Sequence, residues 1–274
     1  MLLRILVVSF VGYFSNACFA QALPIYSYHI DPPFHVDNAR DDLSQHWVKH
    51  FNEFQQDTKL SLVTIDRPAL NALIEAGKPY LILWANPIWF ASRDAKIKAS
   101  EPIFWDADIW ISRSESKLRY TGPEDLFGLT MGGRQGYFYK GVNEWVEQGK
   151  IVRHDALSDA ANLARLRNGK LDVFVMSRSS FLYWQAQNVM DTRALYVAQS
   201  AHDAYTRHVL VSRHHHQLLP LLNRFIDSLT HNPNWQSDLV RWGVKDLTNP
   251  FDLELDELDG LKLSAPTEPN PADD

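Results

Sequence analysis

Leu163-Ala164-Arg165-Leu166-Arg167-Asn168-Gly169-Lys170-Leu171-Asp172-Val173-Phe174-Val175-Met176 carries two periods back to back. Leu163 and Leu166 are spaced as one face of a helix, Ser158 supplies the cap before it, and Gly169 closes it. Leu171 to Met176 is then an apolar run of strand length, of the kind buried on both faces of a parallel sheet. A helix ended by glycine and followed directly by a buried strand is one unit of an α/β fold.

The same unit recurs outward in both directions. Upstream, Leu23 to His29 reads as a strand that Pro32-Pro33 stops. Residues 41–56 have helical spacing at Leu43, Trp47, Phe51 and Phe54. Leu60 to Ile65 is a strand. Pro68 opens a short helix at no cost in hydrogen bonds, and Gly77 closes it. Tyr80 to Ala85 is a buried strand. A second set starts after Arg113. Leu129 to Gly133 is a strand, 137–148 a helix bearing Tyr137, Val142 and Trp145, and Ile151 to His154 a strand. The helix and strand quoted first follow, then a helix over 179–189. Strands at Ala194 to Val197 and His208 to Val211, and helices at Leu218–Leu229 and Trp235–Trp242, complete the body. Two sets joined by long segments near 103–113 and 200–210 predict two lobes with two crossings and mainly parallel sheets.

Of the 274 residues, 45% are apolar, 12% aromatic and 22% charged, which supports a packed core. The net charge of −6 is concentrated at the end: residues 251–274 hold eight acids and one lysine, while 21–250 carry 25 acids and 25 bases. The body lacks the basic footprint of nucleic-acid binding. The acidic, proline-containing tail has too little apolar surface to offset ordering and is expected to be disordered. Residues 1–20 have Arg4, an apolar run from Ile5 to Phe14 and a small residue, Ala20, at the expected cleavage point, the layout of a secretory signal. The only cysteine, Cys18, lies within this segment. It is an alternative lipid-attachment site, although Phe14 to Ala17 lacks the leucine that usually precedes one. The expected product is an exported, periplasmic monomer without disulfides.

Four stretches together resemble the periplasmic solute-binding proteins of ABC importers, in particular the polar amino-acid group called family 3. They are Tyr28-His29-Ile30-Asp31-Pro32-Pro33-Phe34; Arg93 with Ser100, Pro102 and Ile103; Gly122 to Leu129 running on to Gly136; and Leu163 to Val173. Their order and spacing span most of residues 24–245. The resemblance implies the α/β type II binding-protein fold, a two-lobed architecture. Lobe 1 would be 21–107 plus 208–250, lobe 2 would be 108–207, and the ligand would lie between them. It also implies delivery of a small solute to an ABC permease, with a membrane sensor as the alternative partner, and neither enzyme activity nor a cofactor.

Under that resemblance Arg93 matches the arginine that grips a ligand carboxylate, a task suited to a planar, permanently charged guanidinium. Phe34 matches the family's aromatic lid. Trp84 and Trp89 are candidate walls, and Asn86 offers donor and acceptor. Arg134-Gln135-Gly136-Tyr137 joins a strand to the expected helix, whose unpaired N–H groups suit an anion. Ser177 and Arg178 follow the next strand. Three positions depart from the family: Ser177 stands where an acid usually meets the ligand ammonium, Phe90 replaces a threonine, and Tyr137 replaces a small hydroxyl residue. Arg93, Arg134 and Arg178 without an opposing carboxylate predict an anionic ligand with an apolar or ring portion and no recognised ammonium.

Enzyme chemistry has less support. His214-His215-His216 cannot converge on one ion from a helix or strand, and no zinc spacing, serine elbow, phosphate loop or dinucleotide fingerprint is present. Cyclohexadienyl dehydratases share the implied fold, so fold alone does not exclude catalysis. Asp31 is the nearest candidate general acid, with capping of the proline loop as its other role.

Overall fold

The computed structural model describes residues 22–36, 41–189 and 194–248. The expected signal segment with Cys18 and the acidic tail lie outside these residues. Among them, no helix is long and apolar enough to cross a membrane.

The first half of the fold contains β1 (Leu23–Ser27), α1 (Leu43–Phe54), β2 (Leu60–Thr64), α2 (Arg67–Glu75), β3 (Leu81–Ala85) and the short β4 (Lys98–Ala99). A long strand, β5 (Phe104–Arg113), leads into β6 (Thr130–Arg134), α3 (Asn143–Glu147), β7 (Val152–Ala156), α4 (Asp159–Arg167), β8 (Val173–Ser177), α5 (Arg178–Ala186) and β9 (Leu195–Val197). A second long strand, β10 (Asp203–Val211), returns to α6 (Leu219–Leu229) and α7 (Pro233–Arg241). Most of the helices begin at a polar side chain that caps them, α3 and α6 being the exceptions. Asp42, Asp66, Ser158 and Ser177 each accept a hydrogen bond from an N–H of the first turn, which satisfies a donor that the helix itself cannot.

The strand order is β2-β1-β3-β10-β5-β8-β6-β7, with β4 on β10 and β9 on β5. The flanks are parallel (β1 with β2 and β3; β6 with β7 and β8), but the middle is antiparallel. The segments read from sequence as connections near 103–113 and 200–210 are these two central strands. Asp203–Arg207 of β10 pairs with Phe104–Asp108 of β5, while His208–Val211 pairs with β3. One strand leaves the first lobe and the other returns to it, so their pairing is antiparallel and the sheet is mixed rather than mainly parallel.

A second difference concerns residues 137–148. The helix there is only Asn143–Glu147, because Gly136 and Gly141 sit at φ 79° and 75°. Those are left-handed values that interrupt a right-handed helix. The N–H of Arg134 donates to the Tyr139 hydroxyl at 3.0 Å, which ties the intervening chain into a turn.

The largest core cluster joins Trp47, Phe51 and Phe225 of the first half to Phe174, Phe181 and Trp184 of the second. The end of the body reinforces this link. Trp242 stacks on Tyr183 of α5 at 5.9 Å, and Gln187 Nε2 donates to the Arg241 carbonyl. Gly243 sits at φ 72°, where an added Cβ would stand 2.5 Å from Ala186 Cβ and 3.0 Å from the Leu182 carbonyl oxygen. Gly243→Ala therefore meets both an unfavourable backbone region and a clash. It is expected to destabilise the chain by about 2–4 kcal/mol in urea unfolding. A loss under 0.5 kcal/mol would mean that this segment does not bear on α5.

Candidate functional site

A cavity of about 520 Å³ lies where the two halves meet, within the size range of small-molecule sites. The two long strands build one side of it. Asp203, Tyr205 and Arg207 alternate along β10 and share a face, with Asp108 directly opposite Asp203 across the ladder. The segment after β1 supplies Tyr28, His29, Asp31 and Phe34, and the start of α2 supplies Arg67. From the other half come Arg134, Tyr137, Tyr139, Asp159, Ser177 and Ser180.

Arg207 is the buried centre of the floor. Its Nε donates to Asp106 Oδ2 at 2.7 Å, Nη1 to the Trp84 carbonyl at 2.9 Å and Nη2 to the Tyr205 hydroxyl at 3.2 Å. Nη1 also meets His29 Nε2 at 3.2 Å. Arginine has no acceptor, so that nitrogen of His29 must be unprotonated. Burial, with Arg207 and Arg67 nearby, pushes the His29 pKa well down and keeps the ring neutral. Asp106 also accepts from the Ser179 hydroxyl at 2.7 Å and N–H at 3.1 Å, which fixes the start of α5 to the floor.

Arg134 closes the site from the second half. Its Nη1 lies 2.7 Å from Asp31 Oδ2 and 3.9 Å from Asp159 Oδ1, while Asp31 Oδ1 accepts the N–H of Asp159 at 3.0 Å. The loop carboxylate of Asp31 thus sits on a guanidinium and on the first N–H of α4, the arrangement in which a helix start holds an anion. Burial and the Asp31 charge raise the Asp159 pKa well above the carboxylate range, against Arg134. Two further contacts bring the halves together at the mouth. Tyr28 and Tyr137 pack edge to face at 6.1 Å, and a Cβ on Gly136 would meet Pro68 at 3.7 Å.

Four charged groups lining the cavity make no ion pair among the described residues: Asp203 and Lys140 are exposed, while Asp108 and Arg67 are half-buried. Asp108 makes no ion pair there. Its Oδ1 accepts from the Tyr205 hydroxyl at 2.8 Å, and burial raises its pKa to about 6. Arg67 has no carboxylate partner there either. Its Nε donates to Asn71 and Nη2 to the Trp89 carbonyl, and its plane lies 4.1 Å from the Phe90 ring centroid and 4.9 Å from that of Tyr28. The cavity therefore offers an anionic and a cationic group among the rings of Tyr28, Trp89, Tyr137 and Tyr205.

Several sequence-derived expectations change in this light. Phe34, Trp89, Arg93, Arg134, Tyr137 and Ser177 line the cavity; Trp84, Asn86, Gln135, Gly136 and Arg178 do not. Trp84 is fully buried at φ 63°, stacked on Phe104 at 5.2 Å, with its indole N–H given to Ser44 Oγ at 2.8 Å. Asn86 spends its amide on the Thr206 carbonyl and its oxygen on the Ile88 N–H. Gln135 and Gly136 form an exposed turn, and no helix begins there. The helix starts that line the cleft are those of α2, α4 and α5.

Phe34 is a floor residue rather than a lid, 2% exposed, packed on Trp84 at 5.1 Å with the Arg207 guanidinium 4.6 Å from its ring centroid. Arg93 is at the rim, its Nε 3.3 Å from Glu75 Oε1, an exposed pair of little energetic weight. Asp31 accepts from Arg134 Nη1 and from the Asp159 N–H, so its carboxylate engages the opposite half of the protein. The predicted absence of a carboxylate opposite the arginines is overturned, because Asp31, Asp108, Asp159 and Asp203 all face the cavity. His214 to His216 lie along a short 3-10 segment, His216 meeting the Lys96 carbonyl at 3.1 Å.

Missed by the sequence reading were Arg67, Asp108, Asp203, Tyr205 and Arg207. For Asp108 a signal was available in Asp106-Ala107-Asp108, where acids alternate within an otherwise apolar strand, and for Asp203, Tyr205 and Arg207 in the period of two that puts them on one face of a strand; Arg67 carried no such signal.

This mixed sheet with two crossing strands and an interlobe cavity is the type II periplasmic binding-protein fold. No protein-family model matches the sequence, and no curated protein matches it. Solved structures do. The GluR0 ligand-binding core in complex with L-glutamate superposes with a TM-score of 0.65 at 15% identity, covering 82% of this chain and 99% of the other. A mutant of ArgBP from T. maritima gives 0.64 at 18% identity, covering 81% and 94%. An ancestral arginine-binding protein bound to arginine gives 0.63 at 14% identity, covering 81% and 97%. At these identities the likeness is one of fold.

Proposed function

We propose that this chain is a solute-binding protein that captures a small molecule bearing both a carboxylate and a cationic nitrogen, an amino acid or a close analogue. The observation that carries this reading is a pair of half-buried charges without an ion-pair partner among the described residues, Arg67 and Asp108, facing one cavity of small-ligand size. A carboxylate can take charge-assisted hydrogen bonds from Arg67, and an ammonium can donate to Asp108. Tyr28, Trp89 and Tyr137 supply apolar walls with polar edges. The amino-acid complexes of similarly folded proteins support the same class of ligand. The proposed setting is outside the cytoplasm, after export through residues 1–20, with delivery to an ABC permease. A membrane sensor would use the same closure, and genes for a kinase or cyclase beside this one would favour it.

Calorimetric titration of the purified chain with a panel of amino acids and their deaminated acids tests the ligand class. At least one amino acid is expected to bind about tenfold or more tightly than its deaminated counterpart, and Arg67→Gln to lose about ten- to a hundredfold in affinity for it. Equal affinity for the deaminated acid would exclude this reading. The bound solute is expected to be recovered unchanged by mass spectrometry after prolonged incubation, whereas turnover would indicate an enzyme on this fold.

A further inference from the structure

We propose that His46, His50 and Asp238 form a zinc site that clamps α1 to α7, outside the cleft and independent of the solute it binds. His46 and His50 are four residues apart and therefore share one face of α1. Asp238 comes from α7, 188 positions from His50 in sequence, and its Oδ2 lies 2.8 Å from both His46 Nδ1 and His50 Nε2. All three donor atoms lie within 4.8 Å of one another. An ion with bonds of about 2.0–2.2 Å fits between them after the contacts to Asp238 open by a few tenths of an ångström.

One outer group points the same way. The far nitrogen of His46, Nε2, meets the Asp41 carboxylate, and the far nitrogen of His50, Nδ1, lies 3.9 Å from Glu53 Oε2. The carboxylate hydrogen-bonded behind the His46 imidazole orients that ring and makes its inner nitrogen a better donor, the usual second layer of a histidine metal site, whereas Glu53 stands beyond hydrogen-bond reach of His50. Two imidazoles and one carboxylate form a borderline donor set that suits zinc, with water in the fourth position. The side chains of His46, His50 and Asp238 are 17%, 6% and 13% exposed, sheltered yet reachable. Because α7 continues into the Trp242–Gly243 segment packed on α5, an ion here would secure that link between the two halves.

The test uses the full chain without an affinity tag, with His214, His215 and His216 all changed to alanine to silence the exposed histidines, and stripped with a chelator. Zinc chloride is titrated against a chromogenic competitor, and cobalt(II) is added separately to read ligand-field absorption. One zinc per chain is expected, with Kd below about 1 μM and a Tm rise of about 5–10 °C at a hundredfold excess over Kd. The cobalt spectrum should have the intensity of a four- or five-coordinate centre. Asp238→Asn and, separately, His50→Gln are expected to weaken zinc by about a hundredfold, and Asp41→Asn by about tenfold, with circular dichroism unchanged. No saturable binding below about 100 μM, or variants that leave the affinity within twofold, would show an ion-pair cluster only and overturn the proposal. If Asp238→Asn fails to fold, His50→Gln alone decides.

Discussion

Asp108→Asn is expected to bind the solute about a thousandfold more weakly than the parent chain while melting about 5 °C higher. The binding loss follows from removing one partner of a desolvated charge pair, which costs about 2–5 kcal/mol. The stability gain follows from the environment of the carboxylate. Burial raises its pKa from 3.8 to about 6, and the neighbouring Asp106 and Asp203 charges add to the rise. The folded state therefore holds this proton more tightly than the unfolded chain does. The associated stability is fully present below pH 3.8, declines as pH rises and is lost above about pH 6. There the ionised group costs about 3 kcal/mol.

Asparagine has no charge to desolvate and can still accept from Tyr205. The Tm gap between variant and parent should therefore be small near pH 4 and level off above pH 6. Binding adds a second signature of the same group. An ammonium needs Asp108 ionised, so parent affinity should fall about tenfold per pH unit below about pH 6, while the variant's profile stays flat. A variant with parental affinity, or with the parent's pH slope, would remove Asp108 from the recognition of the ligand.

Asp31→Ala is expected to reduce affinity by about a hundredfold or more and to enlarge the radius of gyration of the ligand-free chain in small-angle scattering. Asp31 belongs to the loop after β1, yet both its oxygens are used by the opposite half, on Arg134 Nη1 at 2.7 Å and on the Asp159 N–H at 3.0 Å. Without it, the closed form buries Arg134 with only the Asp159 oxygen, 3.9 Å away, to balance it. Leaving a buried charge short of its partner costs about 3–5 kcal/mol. An open form lets water solvate Arg134, so the cost falls mainly on closure and the equilibrium shifts by a comparable amount. Saturating ligand should bring the radius of the variant back toward that of the liganded parent. An unchanged radius with affinity within twofold would mean that Asp31 only caps α4.

Together the two variants test separate tasks for the cleft carboxylates, Asp108 for the proposed recognition of the ligand and Asp31 for contact with the opposite half of the protein. Neither role was read from sequence, where Asp108 had none. Asp31 stood there as a possible acid or loop cap, and the shortage of acids was argued from Ser177, which stands in the expected position. A cavity-facing carboxylate stands instead at Asp108, directly opposite Ser177 across the β5–β8 ladder. A comparison along the chain registers that replacement as a loss. Only the strand pairing shows that an acid stands beside it.

Periodicity, capping residues and glycine stops were enough to define most elements of the body, the α/β class and two halves linked by two crossings. Those features are local, because helical spacing, an N-cap or a buried strand run each depends on a few neighbouring residues. The tertiary structure decided that the crossing segments are paired antiparallel strands, that Trp84 turns into the core through Ser44, and that Gly136 and Gly141 stop a helix from starting at Arg134. It also decided which charges cancel. Arg134 and Arg207 are neutralised by acids 103 and 101 positions away, whereas Arg67 and Asp108 form no ion pair among the described residues. Electrostatic pairing depends on distance in space and on exclusion of water, and neither is a property of position along a chain.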